Sequence, residues 1–298
     1  MKTITRKAYA KLNLGLDVIG RRPDGYHELR MIMQTIDLYD ELRFEEIKDE
    51  RGTVRLYVED ERTQAAVPLA TIPANEENLV HRAATAILSR FHPDGAVAIT
   101  LTKRIPIAAG LGGGSSDAAC VFHGLNSLFD LNMPIDIMMQ MGVAIGADIP
   151  FCLLSGTALA TGIGEKLISL PPPPPCHLVI VRPAIAVSTR EVFAMLDIGA
   201  ITRHPNVDEI ATAIQQGDLL AITNEMGNVL ETVTIHEHPI IGTIKEELVE
   251  WGAKIAMMSG SGPSVFAIFT DKKQATLAYK EMKKHYEAYQ AAWVDVSW

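Results

Sequence analysis

Pro106-Ile107-Ala108-Ala109-Gly110-Leu111-Gly112-Gly113-Gly114-Ser115-Ser116-Asp117 places four glycines within five residues and follows them with two serines and an aspartate. Glycine loses more backbone freedom on folding than any other residue, so such a run weakens every regular element and needs a compensating reason. A backbone that must approach a bulky anion supplies one, because without Cβ atoms the N–H groups can wrap phosphate oxygens closely. A helix capped by Ser115 or Ser116 adds free N–H groups and the positive end of its dipole, and the segment reads as a phosphate cradle. The run lacks the lysine of a P-loop NTPase, and Ser115 at the third glycine position breaks G-x-G-x-x-G. The bland alternative is a flexible loop.

Outward from the cradle, Ala96–Thr102 alternates as a strand. The helix after it runs to about Leu131, with Ala119, Phe122, Leu125 and Phe129 on one face. A second helix spans Pro134–Ile145 and stops at Gly146. Upstream, Asn78–Phe91 is an amphipathic helix, and Thr3–Ile19, Leu29–Asp37, Asp40–Glu46 and Thr53–Val58 are extended. Pro23-Asp24-Gly25 marks a turn. Five prolines, Pro171–Pro175, read as a stiff linker between domains at 1–170 and 171–298, with a rigid surface loop as the alternative. Beyond them come a strand (His177–Val181), helices (Val207–Gln216, Pro239–Trp251), strands (Lys254–Met258, Val265–Phe269), a helix (Lys272–Tyr286) and a last strand (Ala292–Val296). That order is α+β with an open sheet.

The 298 residues suit one large domain or two moderate ones, and 48% hydrophobic with 21% charged residues is ordinary globular composition. A net charge of −9 without any lysine or arginine stripe argues against nucleic acid or an anionic membrane as partner. Cys120, Cys152 and Cys176 are odd in number and include no CxxC pair, so neither a disulfide framework nor structural zinc is expected. Met1–Leu16 has no apolar signal core, and Asp148 and Pro150 interrupt the apolar stretch Val143–Ala160. The reducing cytoplasm is the expected location.

Four further features carry chemistry or mimic it. In Tyr9-Ala10-Lys11-Leu12-Asn13-Leu14, alternation puts Lys11 and Asn13 on the side of Tyr9, where Lys11 is a solvated face residue or a charge stabiliser. Asp148, in Gly146-Ala147-Asp148-Ile149-Pro150, is a turn residue, or a general base if it faces Lys11. Ser259-Gly260-Ser261-Gly262-Pro263-Ser264 is a hairpin turn or a second site loop, and His236-Glu237-His238 has metal-ligand spacing but no further ligand cluster.

With these residues in view, the chain resembles the GHMP kinases, which include galactokinase and homoserine, mevalonate and phosphomevalonate kinases. The matching segments are Ala10–Leu14, Gly20–His27, Pro106–Ala119, Gly146–Pro150 and Ser259–Phe266, in the family's order over nearly the whole chain. The resemblance implies a two-domain α+β fold, ribosomal-protein-S5-like at the N-terminus and ferredoxin-like at the C-terminus, with the active site between. It implies ATP as phosphoryl donor, with Mg²⁺. The Arg22–His27 stretch and the triple glycine resemble the branch whose acceptor is the 2-hydroxyl of a cytidine diphosphate-linked methylerythritol, in non-mevalonate isoprenoid synthesis.

By that resemblance, Asp148 orients or deprotonates the hydroxyl, Lys11 stabilises charge, and Asn13 contacts the methylerythritol. Tyr26 and His27, with Phe193, hold the cytosine. Pro106, Ala108, Ala109, Gly110, Leu111, Gly112, Gly113, Gly114, Ser115 and Ser116 bind ATP, with Lys103 and Asn78 near it. The metal ligands stay open between Ser116, Asp117 and the phosphates alone. The expected partner is a small molecule, the expected assembly a monomer or weak homodimer. The rivals are another kinase of the superfamily, which has no evident need of Tyr26–His27, and a non-catalytic nucleotide sensor, which has no need of both Lys11 and Asp148. A purely structural protein would leave the glycine run uncompensated.

Overall fold

The computed structural model describes residues 2–48, 50–62 and 72–296. The chain runs β1 (Thr3–Arg21), β2 (His27–Glu46), β3 (Val54–Asp60), α1 (Leu79–Phe91), β4 (Val97–Lys103), α2 (Gly113–Leu128), α3 (Ile135–Val143) and α4 (Ile149–Leu154). It continues with β5 (Thr157–Gly162), β6 (Lys166–Leu170), β7 (His177–Arg182), α5 (Thr189–Met195), α6 (Val207–Gln216), α7 (Leu219–Glu225), α8 (Glu231–Glu237) and α9 (Ile240–Glu250). The last elements are β8 (Ile255–Met258), β9 (Val265–Phe269), α10 (Lys272–Met282) and β10 (Glu287–Ala291).

β2 organises the first, six-stranded sheet. One edge pairs antiparallel with β1, while on the other edge Leu29–Gln34 take β5 and Glu41–Glu46 take β4. The two extended runs expected at Leu29–Asp37 and Asp40–Glu46 are one strand: β1 pairs with Tyr39 and again with Thr35 on either side of a register shift, and between them the Asp37 N–H donates to Ala292 O at 3.0 Å. β3 joins β4 in parallel, and β6 closes the far edge against β5.

Register shifts between Tyr9 and Lys11 and between Asn13 and Gly15 break the alternation of β1. A bulge moves every later side chain to the other face. Ala8, Leu16 and Val18 accordingly pack in the core beneath α1 and α2, while Ala10, Leu12 and Leu14 pack in a second core. The expectation that Lys11 shares a face with Tyr9 fails at the first bulge: Tyr9 meets Tyr39 edge-on at 5.6 Å, outside the cleft that Lys11 lines.

The second sheet has the order β10-β7-β9-β8 and is antiparallel throughout. Its first and last strands lie side by side, the ferredoxin-like arrangement of a β-α-β-β-α-β chain. Pro171–Pro175 run between the last strand of one sheet and the first of the other. Leu178, Ile180, Phe266 and Ile268 face the second core with Leu12 and Leu14, and the intervening Val179, Val181, Val265 and Ala267 pack with the residues of α9 and α10.

The final strand lies at Glu287–Ala291 rather than Ala292–Val296, and α10 stops at Met282 instead of reaching Tyr286. Pairing with β7 sets this register and joins Glu287 to Arg182 at 3.0 Å. The hairpin of β5 and β6 was hidden in the sequence, since it continues an apolar stretch without a clear period.

Candidate active site

A cleft of about 510 Å³ opens between the two sheets. Its floor is the loop from Pro106 to Ser115, whose Ala109 and Leu111 are anchored in the second core. The helix beyond starts differently from expectation. Its N-cap is Gly112 at φ +67°, no side chain caps it, and Ser115 and Ser116 lie within its first turn. Glycine takes that left-handed conformation without strain. Ser116 is turned inward, donating its hydroxyl to Tyr9 O at 2.6 Å, and only Ser115 faces the cleft. First-turn N–H groups have no intrahelical acceptor, which leaves α2 suited to an anion.

The base of this loop is clipped on both sides. Asp40, fully buried in β2, accepts from the backbone N–H groups of Arg104 (2.5 Å) and Ile105 (2.7 Å) and from the Lys103 ammonium. Lys103 reaches on to Asp117 in α2 at 2.7 Å. Burial pushes the Asp117 carboxyl well above the usual carboxylate range, with the Lys103 ammonium pulling the other way. Burial alone would lower Lys103, but Asp117 and Asp40 outweigh it and raise its pKa. Asp117 Oδ1 has no hydrogen-bond partner among the described residues. Lys103, expected beside the nucleotide, borders the cleft with its charge already shared by two carboxylates.

Opposite the cradle, Lys11 leaves β1 with its backbone N–H bonded to Leu111 O (2.9 Å), and its side chain passes so near Gly112 that a Cβ there would lie 2.7 Å from Lys11 Cγ. The ammonium donates to Asn13 Oδ1 at 2.7 Å and stands 3.4 Å from Asp148 Oδ2. Lys11 is 6% exposed and Asp148 32%, so the carboxylate is the member open to solvent. Asp148 precedes α4 without capping it, which leaves its carboxylate free for Lys11. Ile149, fully buried, fits against Gly142, where a Cβ would stand 2.6 Å from its Cγ2, and so pins that turn.

The far wall is aromatic and apolar. Phe193 on α5 stacks on the His27 ring, with centroids 5.0 Å apart and planes at 30°. Burial and the charge of Arg21 lower the His27 pKa, favouring the neutral imidazole. Tyr26 stands 60% exposed and does not line the cleft. Leu16, Leu29, Met31 and Leu230 complete the wall, and Asn78 borders the other end while capping α1 through Val80 N (2.9 Å).

Comparison with known proteins places this arrangement. Residues 78–156 match the family model described as GHMP kinases N terminal domain, and residues 210–288 match GHMP kinases C terminal. A 4-diphosphocytidyl-2-C-methyl-D-erythritol kinase of Lachnospira eligens is 46% identical over 290 residues, covering 97% of each chain. This chain belongs to the GHMP kinases. A kinase of the same name from Lachnoclostridium phytofermentans is 47% identical over 95% of this chain and 94% of its own. Among solved structures, a 4-(cytidine 5'-diphospho)-2C-methyl-D-erythritol kinase superposes with a TM-score of 0.81 at 31% identity, covering 98% of this chain and 100% of that one. A homoserine kinase from Cytophaga hutchinsonii shares the fold, with a TM-score of 0.77 at 20% identity, covering 99% and 95%.

In this GHMP kinase the fold gathers Lys11, Asn13, Asp148, Asn78, Lys103, Phe193 and Pro106 to Ser115 around one cleft, while Ser116, Tyr26 and His27 lie outside the lining, His27 stacked against Phe193. Sequence reasoning missed Asp40, 63 positions from its lysine, and Thr189, whose hydroxyl meets that of Ser261, in the glycine-rich loop marked above, at 2.7 Å on the cleft wall. Nothing in the local pattern marks Asp40 or Thr189. His236 and His238 belong to no group of three or more His, Cys, Asp or Glu able to hold a metal among the described residues, and no helix there is long and apolar enough to cross a membrane.

Proposed function

We propose that the protein transfers the γ-phosphoryl group of ATP to the 2-hydroxyl of 4-diphosphocytidyl-2-C-methyl-D-erythritol, a step in non-mevalonate isoprenoid precursor synthesis. The observation that carries the reading is the Lys11–Asp148 pair, 3.4 Å apart, with the lysine stem crossing the phosphate cradle at Gly112. There a partly exposed carboxylate for the hydroxyl proton and a cation for developing charge stand beside a loop fit for phosphates.

Phosphoryl transfer depends on positioning and charge stabilisation more than on covalent help from the protein. Asp148 orients the acceptor hydroxyl and takes its proton late, as the new O–P bond forms and the bond from Pγ to the β-phosphate oxygen breaks. Lys11 offsets charge on the attacking oxygen and the transferring group. Asn13 holds Lys11 and contacts the methylerythritol. First-turn N–H groups of α2 take the nucleotide phosphates, and Asn78 borders the nucleoside. His27 and Phe193 hold the cytosine, with Tyr26 closing over it from the rim, since aromatic faces suit a flat pyrimidine.

A bound Mg²⁺ would supply positive charge to offset that of the nucleotide phosphates. With Ser116 turned to Tyr9 and Asp117 shared with Lys103, the residues present fit a cation carried on ATP oxygens and water, with few protein ligands. The same reading takes 1–170 as the nucleotide domain and 171–298 as the domain completing the acceptor site. It has the enzyme act in the cytoplasm as a monomer or weak homodimer, without nucleic acid. Its support is the proline run and the charge of −9.

The test is phosphoryl transfer from ATP over a panel of alcohols: the cytidylyl methylerythritol, homoserine, mevalonate and galactose. Turnover of the first far above the others is expected. Preference for any of the rest overturns the substrate, and no turnover of any overturns the kinase reading.

A further inference from the structure

The loop Ser259–Ser264 lies between the cradle and the aromatic wall and is fastened to both. Toward the cradle, Ser259 Oγ donates to Gly110 O at 2.9 Å and Ser264 N to Ala109 O at 3.3 Å. The two backbones approach so closely that a Cβ on Gly110 would overlap the Ser259 carbonyl oxygen. Behind, Asn228 Nδ2 donates to Met258 O (2.9 Å) and Gly260 O (2.7 Å), and Thr234 Oγ1 donates to Ser261 O at 3.3 Å. Carbonyls of a loop held this way have little freedom to move.

Toward the aromatic wall the fastening is a side-chain hydrogen bond. Ser261 Oγ and Thr189 Oγ1 share a hydrogen bond of 2.7 Å, and both residues line the cleft. Thr189 is the first residue of α5, one helical turn before Phe193. The chain of contacts runs from Gly110 through Ser259 and Ser261 to Thr189, and along α5 to Phe193 against His27.

An acceptor held at its base by that ring pair must still deliver a distant hydroxyl to Asp148. The spacing between ring pair and cradle therefore decides whether the hydroxyl arrives in line with the γ-phosphorus. A misplacement of about 1 Å can lower a rate on the order of 100-fold.

We propose that Thr189 and Ser261 are positioning residues, whose hydroxyl pair sets the spacing between the base-holding helix and the phosphate cradle. The inference rests on the acceptor proposed above. Neither residue touches the reacting atoms. They act through α5 and the loop.

Thr189→Val keeps the shape and removes the hydroxyl, Ser261→Ala removes its partner, and Thr189→Ser restores the hydrogen bond. Four quantities are measured on the full chain: kcat with ATP and the cytidylyl alcohol, Kd for CMP, Kd for ADP, and Tm. CMP reaches only the base end and ADP only the cradle. For Thr189→Val and Ser261→Ala, kcat falls at least tenfold, the double variant is no worse than either single one, and Thr189→Ser recovers most of the rate. Kd for CMP and for ADP stays within twofold of wild type, and Tm within about 2 °C.

Unchanged kcat in both variants overturns the proposal. So does weakened CMP binding or a fall in Tm that accounts for the lost rate, since either makes the pair a ligand contact or a folding element. Wild-type protein that fails to phosphorylate the cytidylyl alcohol overturns the functional reading first, and the positioning role falls with it.

Discussion

Two glycines of the cradle have different reasons to be glycine. Gly112 takes φ +67° and leaves room for the Lys11 stem, whereas Gly114 lies inside α2 with only Leu79 Cδ1, 3.7 Å from a notional Cβ. The protein itself therefore tolerates a methyl at Gly114, and alanine in a helix is favoured over glycine by about 0.5–1 kcal/mol. Gly114→Ala is expected to raise Tm slightly and to weaken ATP binding at least tenfold. Calorimetric titration with ATP checks it, and unchanged affinity removes Gly114 from the phosphate site. At the reacting centre, Asp148→Asn and Lys11→Met should each lower kcat by two orders of magnitude or more with smaller effects on KM, a size in line with loss of general-base help. The double variant should fall far short of the product, because the two act as one unit. Near-full turnover in Asp148→Asn would end its role as base. These residues were legible because their signal is local: a costly glycine run, and short motifs that keep a charged residue among apolar neighbours. The charge state of Lys103 was not legible, for its carboxylates sit 63 and 14 positions away and only the folded sheet brings them to it.

At the scale of elements, α2 is held to the sheet by Lys103 between Asp40 and Asp117, all three nearly inaccessible to water. Two buried carboxylates against one ammonium leave an unbalanced negative charge, which a proton on the pair removes. The raised pKa of Asp117 expresses this and fixes the sign of a pH effect. A carboxyl whose folded pKa exceeds its unfolded value stabilises the fold fully below the unfolded pKa, and that contribution is lost as pH rises through the folded one. Lys103, also raised, keeps its contribution throughout the range below the ordinary lysine value of 10.5. Asp117→Asn abolishes the titration, so the Tm of the variant minus that of wild type should become steadily more positive as pH rises above the ordinary carboxylate range. A difference flat with pH would show that Asp117 is ionised in the fold. Element boundaries were legible where punctuation is strong. α1 begins within a residue of the expected Asn78, which caps it, and Pro171–Pro175 separate the sheets. They failed where tertiary contacts decide: the bulges of β1, the glycine cap of α2 and the register of β10 depend on partner strands and on the room beside them.

Over the whole molecule, the ferredoxin-like half was the more legible, because its β-α-β-β-α-β order leaves few ways to close an antiparallel sheet. What sequence order does not reveal is how the halves join. The bulges in β1 turn Ala10, Leu12 and Leu14 away from α1 and α2 and into a core shared with Leu178, Ile180, Phe266 and Ile268 of the second sheet. Each sheet thus buries one face against the seam and the other against its own helices. The cleft opens on this seam, so its two walls keep their spacing only while the shared core is packed. Phe266 is fully buried there on β9, and its replacement by alanine removes most of a large side chain from a packed interior, worth about 3–5 kcal/mol. If the seam makes the halves one cooperative unit, scanning calorimetry of wild type shows a single transition, and Phe266→Ala shifts that transition down without splitting it. The variant should also lose affinity for ATP, although Phe266 lies outside the cleft lining. Two separable transitions, of which only one responds to Phe266→Ala, would mean that the seam is a contact between independent domains.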